Sequence, residues 1–132
     1  MTPKINNVFI VAGEPSGDTH AAKLVSSLKN LSPKTKFFGN GGDKMAESGV
    51  EIIHHINVLS VMGFIEVAKR LPKLLHIMRK TLSAIKKIKP DRIILVDYPG
   101  FNLRLAKKIK KLKMNIPVTY FILPQLWAWK EN

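Results

Sequence analysis

The sequence has no cysteine, which excludes disulfides, zinc–thiolate sites and cysteine nucleophiles. It also has no apolar run close to the ~20 residues that a membrane-spanning helix needs. Only five apolar residues, Val8 to Ala12, follow the first lysine, and this stretch is too short for a secretory signal. These absences are compatible with a cytoplasmic protein.

Acidic residues are scarce in the second half of the chain. Residues 1–66 hold six Lys and six Asp or Glu, whereas residues 67–130 hold sixteen Lys or Arg against two aspartates. This imbalance predicts an anionic partner: nucleic acid, an anionic membrane surface or a phosphorylated substrate. The chain has no recognised nucleic-acid-binding motif, and its aromatic residues are not interleaved with the basic ones. A nucleic-acid-binding domain is therefore the least favoured of the three.

Short apolar segments alternate with helical patterns along the 132 residues, a length that suits one domain. Strands are predicted at residues 8–12, 36–39, 50–54, 92–96 and 118–122. Helices are predicted from an N-cap at Asp18 or Thr19, at residues 43–48, from Leu71 to Lys89 with Pro72 in the first turn, and after Gly100; residues 39–42 read as a turn. The alternation predicts an α/β fold, a parallel sheet with helices on both faces.

Ligands of such sheets bind beyond the carboxyl ends of the strands. One loop there, residues 13–18, has glycines but matches no dinucleotide fingerprint, P-loop or nucleophile elbow, so a tight turn explains it equally well. Asp97 follows an apolar strand and suits a general base, although capping a helix or pairing with a lysine would also explain it. The four histidines lack metal-ligand spacing, and no metal site is expected.

Six blocks in the same order resemble the lipid-A-disaccharide synthase family, bacterial glycosyltransferases with the two-domain GT-B architecture. These blocks are residues 12–18 (AGEPSGD), 38–42 (FGNGG), 61–67 (VMGFIEV), 89–91 (KPD), 96–102 (VDYPGFN) and 124–129 (PQLWAW). The resemblance implies a Rossmann-like domain. It also implies transfer of 2,3-diacylglucosamine from its UDP derivative to the 6-hydroxyl of 2,3-diacylglucosamine 1-phosphate (lipid X), with inversion and without a cofactor.

The resemblance also implies roles for particular residues. Asp97 takes the position of the family's proposed base, while Met62, Phe64 and Ile65 fall in a segment that meets the membrane or the acyl chains. The substrate-binding residues implied are Glu14, Ser16, Gly17, Asp18, Asn102, Gln125 and Trp127. Gly100 stands where the family usually has a second aspartate.

Residues 1–132 match the acceptor-side, amino-terminal domain of such an enzyme, nearly complete. The family binds UDP mainly through a carboxy-terminal domain, which we expect to be absent, and we expect the chain alone to be inactive. The basic helices predict a peripheral position on the inner face of the inner membrane. The alternative is a degenerate or split module that binds lipid or a partner chain without catalysis.

Overall fold

The structure is a computed structural model that describes residues 5–57 and 67–122, with side chains from residue 72 onward in the second range. The described elements, in chain order, are β1 (Asn7–Ala12), α1 (Pro15–Leu31), β2 (Lys36–Gly41), α2 (Asp43–Ser48), β3 (Val50–His55), α3 (Val67–Ile88), β4 (Arg92–Val96), α4 (Pro99–Lys111) and β5 (Val118–Phe121). The predicted strands at both ends of the chain and the predicted helix at residues 43–48 agree with these bounds within one residue.

The five strands form one sheet in the order β3-β2-β1-β4-β5, and every neighbouring pair is parallel. β1 lies in the middle, and residues 8–12 are all buried. A strand covered by helices on both faces needs apolar side chains at every position, which explains its unbroken apolar run. The predicted α/β, Rossmann-like class is therefore confirmed.

Two helical layers cover the sheet. Val8 and Ile10 of β1 pack in a cluster with Ala21 and Val25 of α1. Phe9 and Val11 of the same strand point to the opposite face, into a cluster with residues of α3 and α4. Alternate side chains of a strand point to opposite faces, so this one short strand contributes to both cores.

The predicted turn at residues 39–42 is wrong, because β2 continues to Gly41. A Cβ at Gly39 would overlap the carbonyl oxygen of Ile10, so glycine is needed here for the close approach of β1. The register between β2 and β3 shifts at Gly39 and Asn40. Gly39 and Gly41 therefore belong to an irregular strand and not to a turn, and Gly42 is the N-cap residue of α2.

Three helices begin earlier than predicted. One is α4, which starts at Pro99 and not after Gly100. α1 starts at Pro15, which occupies the first turn, where a residue without an N–H costs nothing. Neither Asp18 nor Thr19 is its N-cap; that position is held by Glu14, which makes no capping hydrogen bond. α3 starts at Val67, so Pro72 lies inside the helix and not in its first turn.

Candidate functional site

The sheet order creates a crevice between the carboxyl ends of β1 and β4. The chain proceeds from β1 to β2 and β3 on one side and from β4 to β5 on the other. Open α/β sheets bind their ligands at such a switch point. The loops that follow β1 and β4 are both there, and they touch: a Cβ on Gly13 would overlap the ring of Tyr98. The structure thus brings together the two loops that carry most of the predicted site residues.

Asp97 follows β4 in an unusual backbone conformation. Its φ is +47° and that of Tyr98 is +50°, so two successive non-glycine residues are left-handed. Such residues cost roughly 1–3 kcal/mol each and persist only where their surroundings hold them. The N-cap of α4 is Tyr98 and not Asp97.

Three groups hold the main chain of Asp97. The Nδ2 of Asn102 donates to the Asp97 carbonyl oxygen at 2.8 Å, and the Tyr120 hydroxyl donates to the same oxygen at 2.9 Å. The Asp97 amide donates to the carbonyl of Phe121 at 2.8 Å. Asn102 also lies 3.3 Å from the carbonyl oxygen of Val96. The left-handed turn is therefore fixed by α4 on one side and β5 on the other.

The Asp97 carboxylate acts on its surroundings through its charge. Burial of the phenol, followed by the negative charge of Asp97, raises the pKa of Tyr120 above its usual value. Asp97 itself is half-buried at the edge of the sheet. Asp97 is thus a half-buried residue on a fixed turn at the switch point of the sheet. Its role as a general base stays a prediction.

Residues 13–18 divide into an exposed part and a buried part. Glu14 and Ser16 are exposed, whereas Gly17 and Asp18 are buried. A Cβ on Gly17 would lie 3.4 Å from the Cβ of Ala12, so α1 packs closely on the end of β1. Among residues 13–18, Glu14 and Ser16 are therefore the polar residues that are exposed, next to the exposed Pro15.

The Asp18 carboxylate caps the neighbouring helix α2. Its carboxylate accepts hydrogen bonds from the amides of Gly42 at 2.8 Å, Met45 at 3.0 Å and Lys44 at 3.1 Å. These amides belong to the amino-terminal end of α2, whose own cap residue, Gly42, has no side chain. Asp18 thus caps α2 across the loop. Its role toward a substrate, like those of Glu14, Ser16, Gly17 and Asn102, stays a prediction.

The remaining predicted site residues lie outside the described part of the chain. They are Gln125 and Trp127 in the tail, and Met62, Phe64 and Ile65 in the apolar segment. Within the described part, the sequence analysis missed Tyr98 and Tyr120. The only signal for Tyr120 was a hydroxyl near the end of an apolar strand, and its contact with Asp97 depends on β5 pairing with β4.

Charge differs strongly between the two helical layers. α3 and α4 hold seven and five Lys or Arg and no acidic residue, whereas α1 and α2 together hold three Lys and three Asp or Glu. The positive charge of the second half therefore lies on the layer formed by α3 and α4, here called the basic layer. Across the described ranges, no helix has the length and apolarity to cross a membrane.

Comparison with known proteins agrees with this geometry. The family model described as lipid-A-disaccharide synthetase matches residues 8–132. A lipid-A-disaccharide synthase from Myxococcus xanthus is 49% identical over 125 residues, which is 95% of this chain and 32% of the relative. The synthase from Coxiella burnetii (strain Dugway 5J108-111) is 43% identical over 94% of the chain and 32% of the relative.

A third relative, from Anaeromyxobacter dehalogenans (strain 2CP-C), is 42% identical over 99% of this chain and 34% of its own length. The chain thus spans about a third of the length of these curated relatives. The match covers both loops at the switch point and every described strand. The chain belongs to the lipid-A-disaccharide synthase family.

Proposed function

We propose that this chain is the acceptor-side part of a glycosyltransferase of lipid A biosynthesis. The reaction transfers 2,3-diacylglucosamine from its UDP derivative to the 6-hydroxyl of 2,3-diacylglucosamine 1-phosphate, giving lipid A disaccharide 1-phosphate and UDP. Membership of the family supports the reaction class. The observation that carries the proposal is Asp97, a half-buried carboxylate on a fixed left-handed turn at the switch point of the sheet.

Asp97 is the general base in this mechanism. Its carboxylate takes the proton of the acceptor 6-hydroxyl while that oxygen forms a bond to C1 of the donor sugar. The bond from C1 to the UDP oxygen breaks on the opposite side, so the α-linked donor gives a β-linked product. The displacement needs a base and a leaving nucleotide, and no cofactor belongs to the proposal.

The turn at Asp97 supports this role because it limits where the carboxylate can lie. Asn102 and Tyr120 hold the Asp97 carbonyl from opposite sides. A base that is already positioned loses less conformational entropy when the acceptor binds. In this proposal, Glu14 and Ser16, both exposed at the start of α1, contact the acceptor sugar.

Donor binding involves residues outside this segment in the same proposal. The chain spans about a third of the length of its relatives, and the family resemblance assigns the UDP site to a second domain. The 132 residues alone are accordingly proposed to be inactive. Peripheral attachment to the inner face of the inner membrane would occur through the basic layer, which brings the acyl chains of the acceptor to the crevice.

The test compares two aspartate-to-asparagine variants in a full-length protein carrying this segment. Asp97→Asn removes the base, and we expect kcat for disaccharide formation to fall about 10²–10⁴-fold. Asp91→Asn makes the same change at an exposed residue that binds the amides of Asn6 and Asn7 at the other end of β4. Its kcat should stay close to that of the unchanged protein.

Circular dichroism and thermal unfolding of both variants separate lost chemistry from lost folding. A folded Asp97→Asn variant with an unchanged rate would remove Asp97 from the base role. A loss of rate in Asp91→Asn as large as in Asp97→Asn would mean that neither loss reports on proton transfer.

A further inference from the structure

A chain of buried polar side chains joins β2 and β3 to α3. Asn40 and Thr81 are both fully buried, and the Nδ2 of Asn40 donates to the Oγ1 of Thr81 at 3.0 Å. Thr81 in turn donates to the carbonyl of Ile77 at 2.7 Å. His54 continues the chain, with its Nδ1 3.2 Å from the Oδ1 of Asn40.

These hydrogen bonds determine which nitrogen of His54 carries a proton. The single hydroxyl hydrogen of Thr81 is used by Ile77, so Thr81 can only accept from Asn40. The amide oxygen of Asn40 therefore faces His54 and can only accept a hydrogen bond. Nδ1 of His54 must donate, which leaves Nε2 as the nitrogen that gains or loses a proton.

Two further basic side chains lie close to His54. His76 and Lys80 are one helical turn apart on α3, and Lys80 precedes Thr81 in the chain. Burial, followed by the positive charges of His76 and Lys80, lowers the pKa of His54 below its ordinary value of 6.5. The facing residue of β2, Asn40, is neutral.

The three basic groups have no acidic counterpart among the residues that the structure describes. The salt bridge found there joins His55 to Asp43 at 2.8 Å, and neither residue belongs to this group. His76 and Lys80 are exposed, while His54 is half-buried and oriented by Asn40. Basic side chains from β3 and α3 are thus grouped around one oriented imidazole.

We propose that His54, His76 and Lys80 form a binding site for a phosphate group. A phosphate offers several acceptor oxygens, and charge-assisted hydrogen bonds to it are about twice as strong as neutral ones. A bound phosphate also offsets the repulsion that His76 and Lys80 exert on a protonated His54. The group is carried either by a soluble phosphate monoester or by a phospholipid headgroup, and both share this chemistry.

This site is separate from the proposed catalytic base. β2 and β1 lie between β3, which holds His54, and β4, which leads to Asp97. The inference uses no property of Asp97 and needs no transferase activity. Its failure would leave the proposed function intact, and failure of the proposed function would leave this site intact.

Phosphate binding should be visible in the titration of His54. An anion beside Nε2 favours the protonated ring, so the pKa of His54 must rise when phosphate binds. An opposite charge within about 4–6 Å typically shifts a pKa by ~1 or more. We therefore expect the pKa of His54 to rise by at least that amount. His20, exposed on α1 and remote from the group, is an internal control within the same chain.

The experiment follows the histidine ring signals of the 132-residue chain by NMR across pH. It is done in inorganic phosphate and in chloride of equal ionic strength. We expect the pKa of His54 to be higher in phosphate than in chloride, and the ring signals of His20 not to distinguish the two salts. Equal changes in the ring signals of both histidines would overturn the site. Equal pKa values of His54 in the two salts would overturn it if the vesicles described below also leave that pKa unchanged.

Two matched variants test the contribution of the lysine. Lys80→Gln removes a member of the group, and Lys108→Gln removes an exposed lysine of α4 with the same change of charge. The rise at His54 should shrink in Lys80→Gln and persist in Lys108→Gln. Equal effects of the two variants on the rise of the His54 pKa would mean that the net charge of the protein causes it, and would overturn the proposal.

A last comparison identifies the source of the phosphate. Vesicles of phosphatidylcholine alone are compared with vesicles that also contain phosphatidylglycerol. A rise of the His54 pKa with phosphatidylglycerol assigns the site to a lipid headgroup. A rise with inorganic phosphate but not with these vesicles assigns it to a soluble monoester, and no rise with either probe refutes it.

Discussion

At the scale of single residues, two aspartates near the same edge of the sheet have opposite environments. Asp18 is 5% exposed and accepts three backbone hydrogen bonds at the start of α2. Asp97 is half-buried, and the side chains of Asn102 and Tyr120 donate hydrogen bonds to its main-chain carbonyl oxygen. The first arrangement stabilises a helix, whereas the second fixes the turn that carries Asp97 at the switch point of the sheet.

Asp18→Ala should destabilise the fold. The variant leaves the amides of Gly42, Lys44 and Met45 without their acceptor, and an unsatisfied buried donor costs about 1–3 kcal/mol. We expect the free energy of unfolding, measured by urea denaturation, to fall by about that amount. Glu14→Ala, in the exposed part of the same loop, should change it by less than ~0.5 kcal/mol. Equal losses in the two variants would contradict the capping role.

At the scale of elements, two glycines in the segments that resemble the family have different structural environments. Gly39 lies in β2 against the backbone of β1, where no side chain fits. Gly100 lies in the first turn of α4, and no atom of the described residues lies within 4 Å of an added Cβ. Glycine is therefore required at the first position but not at the second, where the family usually has aspartate.

Gly100→Asp should stabilise α4. Replacing glycine in a helix contributes roughly 0.5–1 kcal/mol, and an acidic residue near the helix N-terminus adds about 0.3–1 kcal/mol. Gly100→Ala isolates the first contribution, and the difference between the two variants should shrink in high salt. Thermal unfolding provides the measurement. A lower melting temperature in both variants would contradict this prediction, because it would mean that the added side chains clash with other residues.

At the scale of the whole molecule, the two faces of the sheet differ in charge. α3 and α4 carry twelve Lys or Arg and no acidic residue, whereas α1 and α2 together carry equal numbers of Lys and acidic residues. An anionic membrane attracts each nearby basic residue by ~1 kcal/mol. In the proposed membrane attachment, this asymmetry would orient the molecule with the basic layer toward the bilayer.

Vesicle binding should depend on which layer loses its lysines. Lys107→Gln with Lys111→Gln removes two exposed charges from α4, and Lys23→Gln with Lys44→Gln removes two exposed charges from the opposite layer. At ~1 kcal/mol each, the first pair should weaken binding to phosphatidylglycerol vesicles roughly 30-fold. The second pair should have a much smaller effect, measured by co-sedimentation at fixed salt. Equal weakening by both pairs would mean that net charge, and not a face, governs attachment.

The sequence by itself determined the α/β class, most strand positions and the two loops of the switch point. These follow from short-range features: unbroken apolar runs, helical periodicity, and the glycine or proline that ends each segment. Asp97 could be selected in the same way, because its place after a buried strand is local. The start of α1 was missed because Asp18, a good N-cap type, is used by a different helix.

Only the tertiary structure decided which side chains act together. Asp18 and the amide of Lys44 are 26 residues apart, and Asn40 and Thr81 are 41 apart. Tyr120 contacts Asp97 because β5 pairs with β4, and His54 meets α3 through Asn40. Such contacts depend on strand order and on the packing of helices, and no short stretch of sequence contains that information.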